Sequence, residues 1–274
     1  MRETIDIDKL FEAFVRSELA SGKLRPTEDD WSDMIPELYA RFEKTPLKEL
    51  GGVTPVEYFD DEPQIKELWL RYIENGVPLN DYVINAVADK VPVGEIAALL
   101  NEDADEEVLL SAIEIMRRKD VKSVVNGYID LLFSKKVCHH VKDEIVEDLC
   151  YCADDVADKI LSRVDEKSAD GAVAEILSNV KKKDGRIKRI LLDGLKTKNK
   201  VPEYSAYLVN YDDESCLAEM LAFLPMVDDY VSYKELKMAI EALGGSVDEK
   251  RDFSQDKNYI RIKAAENDIG KEDK

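Results

Sequence analysis

The stretch AVAEILSNVKKKDGRIKRILLDGL (172–195), followed by YSAYLVNYDDESCLAEMLAFL (204–224), decides how this chain folds. Each segment holds an amphipathic run, a polar turn containing Asp and a second amphipathic run, and the two recur about 30 residues apart. In the second runs, apolar residues stand three, seven, eight and eleven positions beyond an Asp. They are Ile187, Leu191, Leu192 and Leu195 after Asp184, and Cys216, Met220, Leu221 and Leu224 after Asp213. Those offsets trace one stripe of a helix with 3.6 residues per turn, opened by a residue type that caps helix amides.

The same offsets recur upstream. Counting from Asn80 they give Val83, Val87, Ala88 and Val91; from Asp105, Val108, Ala112, Ile113 and Met116; from Cys138, Val141, Ile145, Val146 and Leu149. The last four of these helices are each preceded by another amphipathic stretch, at Glu95–Leu100, Val121–Phe133, Val173–Val180 and Tyr204–Val209. One such pair cannot cover both its apolar faces, so neighbours must stack. The residues from 79 to 244 therefore resemble the HEAT-like, armadillo-type family of helical repeats. That resemblance implies an all-α superhelix, or solenoid, with residues 1–78 as an N-terminal helical cap. The register is uneven: 46 residues separate Cys138 from Asp184, and an extra helix at Asp154–Val164 belongs to neither layer. A globular all-α bundle is the competing architecture.

Before the repeats, Ile7, Leu10, Phe11, Phe14 and Val15 line a helical face, and a second helix runs through Trp31, Ile35, Leu38 and Phe42 with Pro36 inside it. Two Thr-Pro pairs and Gly51-Gly52 break residues 45–60 into short turns. Trp31, Trp69, Tyr39, Tyr58 and Phe59 cluster here, as a cap on the first repeat or as a ligand groove. A first boundary is expected after Gly76. Residues 245–274 carry eight acids and seven bases with few apolar residues, which predicts a polar C-terminal tail; Phe253, Tyr259, Ile260 and Ile262 are its candidates for docking.

Among 274 residues, 59 acids face 39 bases, a formal charge of −20. Phosphate neutralisation needs a positive face, so general nucleic-acid binding is not expected, nor is docking on an anionic membrane. No apolar run reaches the roughly 18 residues of a membrane-spanning helix, and four cysteines make no disulfide framework. The chain reads as cytoplasmic, with reduced thiols.

The motifs GxxxxGK[ST], GxGxxG, HExxH and GxSxG are missing, and no cofactor is expected. Cys138, His139 and His140 adjoin one another, with Cys150 and Cys152 a helix length on. They invite a soft-metal or redox reading, but about 18 Å of helix separates positions 138 and 150, too far to share one ion. One local contrast remains. Lys181, Lys182, Lys183, Arg186, Lys188, Arg189, Lys196, Lys198 and Lys200 form a basic island in an acidic chain, and the first six are the candidate docking point for an acidic peptide or phosphate. The expected function is a non-enzymatic interaction scaffold or adaptor whose partner is another protein, presenting basic or helical segments. HEAT-like folds also include bilin-lyase-related proteins and DNA glycosylases, so an enzyme of lyase or glycosylase type is the alternative.

Overall fold

The computed structural model describes residues 1–21, 31–164, 171–197 and 199–272. Among them it is all-helical, with no strand beyond an isolated bridge between Leu47 and Val53. The α-helices are α1 (Ile7–Ala20), α2 (Trp31–Phe42), α3 (Pro55–Asp60), α4 (Ile65–Glu74), α5 (Asp81–Lys90), α6 (Val93–Ala97), α7 (Glu106–Lys119), α8 (Val125–Phe133), α9 (His139–Tyr151), α10 (Ala153–Leu161), α11 (Gly171–Ser178), α12 (Gly185–Leu195), α13 (Val201–Tyr211), α14 (Leu217–Phe223), α15 (Tyr230–Ala242) and α16 (Lys257–Glu272). Two compact units, Met1–Glu144 and Ile145–Lys274, divide within α9.

Three of the four Asn and Asp origins of the repeated stripe cap helix amides, while Asp105 holds the N-cap position of α7 without a side-chain bond. Asn80 accepts the Val83 N–H at 3.2 Å, Asp184 the Arg186 N–H at 2.8 Å, and Asp213 the Ser215 N–H at 3.0 Å. Capping satisfies amides that the first turn leaves orphaned. Every stripe residue is buried except Val108, which is half-buried, and Leu221, which is 39% exposed. α14 is only seven residues long and sits between 3-10 turns at Glu214–Cys216 and Leu224–Met226, the second containing Pro225. α14 and the second turn pack on α15; Met220 and Leu224 are buried and Leu221 is left outside.

In the first unit α5 packs on α3, α4 and α7, and α7 on α4 and α6. Cations stitch helices two apart by capping exposed carbonyls, the favourable end of a helix for positive charge. Lys90, closing α5, donates to the carbonyls of Phe59 and Asp60 at the end of α3, and Lys119, closing α7, to that of Ala88 in α5. The unit runs straight through the boundary expected near residue 78. The Trp69 indole, fully buried, donates to Ser111 Oγ at 3.1 Å, and Phe59 stacks on Tyr82 with centroids 6.1 Å apart. Trp69, Tyr58 and Phe59 are thus core, and Tyr39 stacks on Tyr82 in turn.

An extended segment, Met1–Asp6, is clipped to α3 and α4. Tyr58 and Tyr72 each bond both backbone groups of one residue, Glu3 and Ile5, and buried Glu62 accepts the N–H of Arg2 at 2.7 Å and of Gln64 at 2.8 Å. Burial alone would raise the Glu62 pKa, but these amides, with Arg2 nearby, hold it below the ordinary glutamate value.

In the second unit α11 packs on α13 and α13 on α15, while α10–α11, α11–α12, α12–α13 and α14–α15 pack as chain neighbours. α10 occupies the place of the expected extra helix. Of the four docking candidates past Gly245, Phe253 and Tyr259 are engaged. Phe253 and Tyr259 pack edge-on against Tyr230 at 5.3 and 4.9 Å, Arg251 donates to the carbonyls of Val227 and Leu224, and α16 follows. Ile260 remains exposed.

Two predictions follow from these contacts. A Cβ on Gly194 of α12 would lie 1.8 Å from the Tyr204 ring of α13. Alanine in a helix ordinarily gains about 1 kcal/mol over glycine, but overpacking costs about 1–3 kcal/mol and the ring has no free end to yield. Gly194→Ala should therefore lower the melting temperature, with partial recovery in Gly194→Ala/Tyr204→Leu; a single variant as stable as the parent would refute the close approach. Glu62→Gln should cost about 1.5–3 kcal/mol near neutral pH, the range for bonds to a charged group. Because the folded pKa is depressed, the carboxylate's contribution is present above its unfolded value, about 4.3, and fades as pH falls through the folded one. The parent–variant gap in denaturant midpoint should narrow below about pH 4, and a gap independent of pH would contradict it.

Candidate functional site

A furrow with a mixed polar and apolar lining lies in the first unit, with a cavity volume of about 730 Å³, within the range of ligand pockets. Its construction starts at the end of α4. Gly76 adopts a left-handed φ of 62°, so Gly76 N–H reaches the Ile73 carbonyl and Val77 N–H the Tyr72 carbonyl, both at 3.0 Å. That pair of bonds closes the helix with a glycine C-cap and turns Val77, Pro78 and Leu79 along the furrow. Opposite stands a second face of α7, Glu107, Leu110, Glu114, Arg117 and Arg118, then His140 and Glu144 of α9.

The furrow's two guanidinium groups are engaged. Arg118 donates to Asp81, Asn85 and Glu114, each at 2.6 Å, joining α5 to α7. Desolvation works against its charge, but the two carboxylates outweigh that and raise its pKa further. Arg117 reaches Glu144 Oε2 at 2.6 Å and the Glu144 carbonyl at 2.9 Å, joining α7 to α9. His140 Nδ1 lies 3.3 Å from Glu106. Glu107 has no ionic partner among the described residues. The excess of carboxylates leaves the furrow negative.

The basic island lies along the opening of α12 and the turns around it. Acidic and carbonyl groups from other helices enter it. Arg186 pairs with Asp158 of α10 at 2.8 Å and Asp184 at 2.7 Å, and Lys188 donates to the Ser215 carbonyl at 2.7 Å. Lys183 donates to the Tyr211 carbonyl and sits over its ring, while Lys196 meets Glu219 of α14 at 3.4 Å. The backbone amides of Lys181 and Lys182 point at Asp154, at 2.9 and 3.5 Å, with their side chains exposed. Arg189 is exposed and also engaged. Lys198 lies outside the described residues. The groove here, about 520 Å³, brings Asp154, Asp158 and Asp184 against Lys181, Lys182 and Arg186, so its charge is balanced rather than basic.

Cys138, His139 and His140 are exposed on the opening turn of α9. Burial pushes the Cys150 thiol up to about 12 and the Cys216 thiol to about 11, away from reactive thiolate. Among the described residues no group of three or more His, Cys, Asp or Glu side chains is arranged to hold a metal ion. No described helix is long and apolar enough to cross a membrane. Comparison with family models, curated proteins and solved structures found no match.

Sequence reasoning missed the furrow. Its signal was Leu110, an apolar residue off the core stripe, flanked by Glu107 and Glu114 on the same face. Arg118→Met keeps the aliphatic stem while deleting the fork on α5. It should cost about 1 kcal/mol in low salt, as expected of a partly exposed ion-pair network, and less in about 1 M salt, where screening is strong. Equal denaturant midpoints for parent and variant in low salt would refute the network.

Proposed function

We propose that the protein is a non-enzymatic interaction scaffold built from stacked, HEAT-like helix pairs, and that its partner is another protein with basic or helical segments. The stitches between helices two apart support the stacking. Lys90 to α3, Lys119 to α5, Arg186 to α10 and Lys196 to α14 span 23 to 31 residues, near the interval at which the sequence pattern recurs. The packing of α11 on α13 and of α13 on α15 has the same logic. Stacks of this kind build extended surfaces, and interaction is the work such surfaces do.

The observation that carries the functional reading is the acidic furrow over α7, with aliphatic side chains along its length and no spare cation in it. A partner's basic segment would gain Coulomb attraction there, whereas a nucleic-acid backbone would meet the wrong sign. The four cysteines are free thiols, which suits the reducing cytoplasm we assign to it.

Affinity purification of the full chain from cell extract, with a matched acidic control protein, tests the reading. Specific proteins should be retained at about 0.1 M salt and largely released at about 0.5 M, as a charge-steered interface requires. Recovery of nothing beyond the control would sink it, and a mobility shift with duplex DNA at moderate salt would favour the glycosylase-type alternative instead.

A further inference from the structure

Resting on the interaction reading, we infer that the furrow of the first unit takes an amphipathic helix of a partner protein carrying bases two turns apart with an aliphatic residue between them. Glu107 and Glu114 are seven residues apart on α7, or about 10.5 Å at 1.5 Å per residue, on one face of the helix. Leu110 stands between them, and Val77 and Leu79 face it from the turn after α4.

Two carboxylates that far apart cannot converge on one ion, so they act as separate point charges in a line: Glu107 is unpaired among the described residues, and Glu114 gives Oε1 to Arg118 and presents Oε2 for a second base to share. The complement of that line is a helix with Lys or Arg at positions i and i+7 and Leu, Ile or Met at i+3 or i+4, the spacing that helix-in-groove recognition uses. An acidic or phosphorylated segment is disfavoured because both arginines of the furrow are already committed. Arg118 is shared by Asp81, Asn85 and Glu114, and Arg117 is held by Glu144. Glu107 is the carboxylate without an ionic partner among the described residues, so a partner's base gains an attraction there without breaking an existing pair.

Selection of a random 16-residue peptide library displayed on phage, against the full chain, tests this. Glu107→Lys and Leu110→Ser serve as separate comparison targets, each first checked for an unchanged far-ultraviolet spectrum and a cooperative melt. Enriched peptides should share the base, aliphatic, base pattern at a seven-residue interval, and should bind each variant about tenfold or more weakly, a difference of about 1.4 kcal/mol. Enriched peptides that lack the pattern, or bind both variants as well as the parent, would overturn the furrow while leaving the scaffold reading intact. No enrichment on the parent would also overturn it, and the scaffold reading would then rest on the affinity purification alone.

Discussion

A helix of ten or so residues with four apolar side chains on one stripe cannot cover that stripe by itself, and this constraint organises the whole chain. Burial of one aliphatic side chain contributes about 1.5–3 kcal/mol, whereas the cap that starts the helix contributes about 1. The stripe therefore decides where a helix must lie, and the cap decides where it begins. Asp184 and Asp213 do the second job while Ile187, Leu191, Leu195, Cys216, Met220 and Leu224 do the first. Gly194 shows how closely the faces meet, since its missing side chain is the space that the Tyr204 ring occupies.

Polar groups add direction to that packing. A cation at the end of one helix reaches the last carbonyls of the helix two before it, as Lys90 and Lys119 do, and fixes the step between pairs. In this chain 39 bases are outnumbered by 59 acids, and within the furrow over α7 both arginines are used in holding helices together. What remains at the furrow's surface is carboxylate and aliphatic carbon. Using the two arginines between helices leaves the furrow's surface acidic.

Much of this arrangement was legible in the residues. The offsets of three, seven, eight and eleven located the core of five helices, with Leu221 the clear miss because α14 is short and flanked by 3-10 turns. In the tail, composition averages over residues 245–274 and shows only polarity, while the aromatic docking candidates Phe253 and Tyr259 could be named but not their partner, Tyr230. The basic island was visible as a count of charges, but Asp158 and Ser215 lie 28 and 27 residues from Arg186 and Lys188, and a local count cannot see partners that far along the chain. The furrow escaped for a similar reason. Half of it is a glycine-capped turn at Gly76–Leu79 and half is the second face of α7, and only the fold brings them together.

The stacking itself is the central claim, and a contact map from methyl NOEs over residues 171–242 of the full chain tests it most directly. The account predicts NOEs between α11 and α13 and between α13 and α15, with none joining α11 to α15. Strong NOEs between Ile176 or Leu177 and Leu236 or Ile240 would mean helices gathered round one centre, and would contradict it.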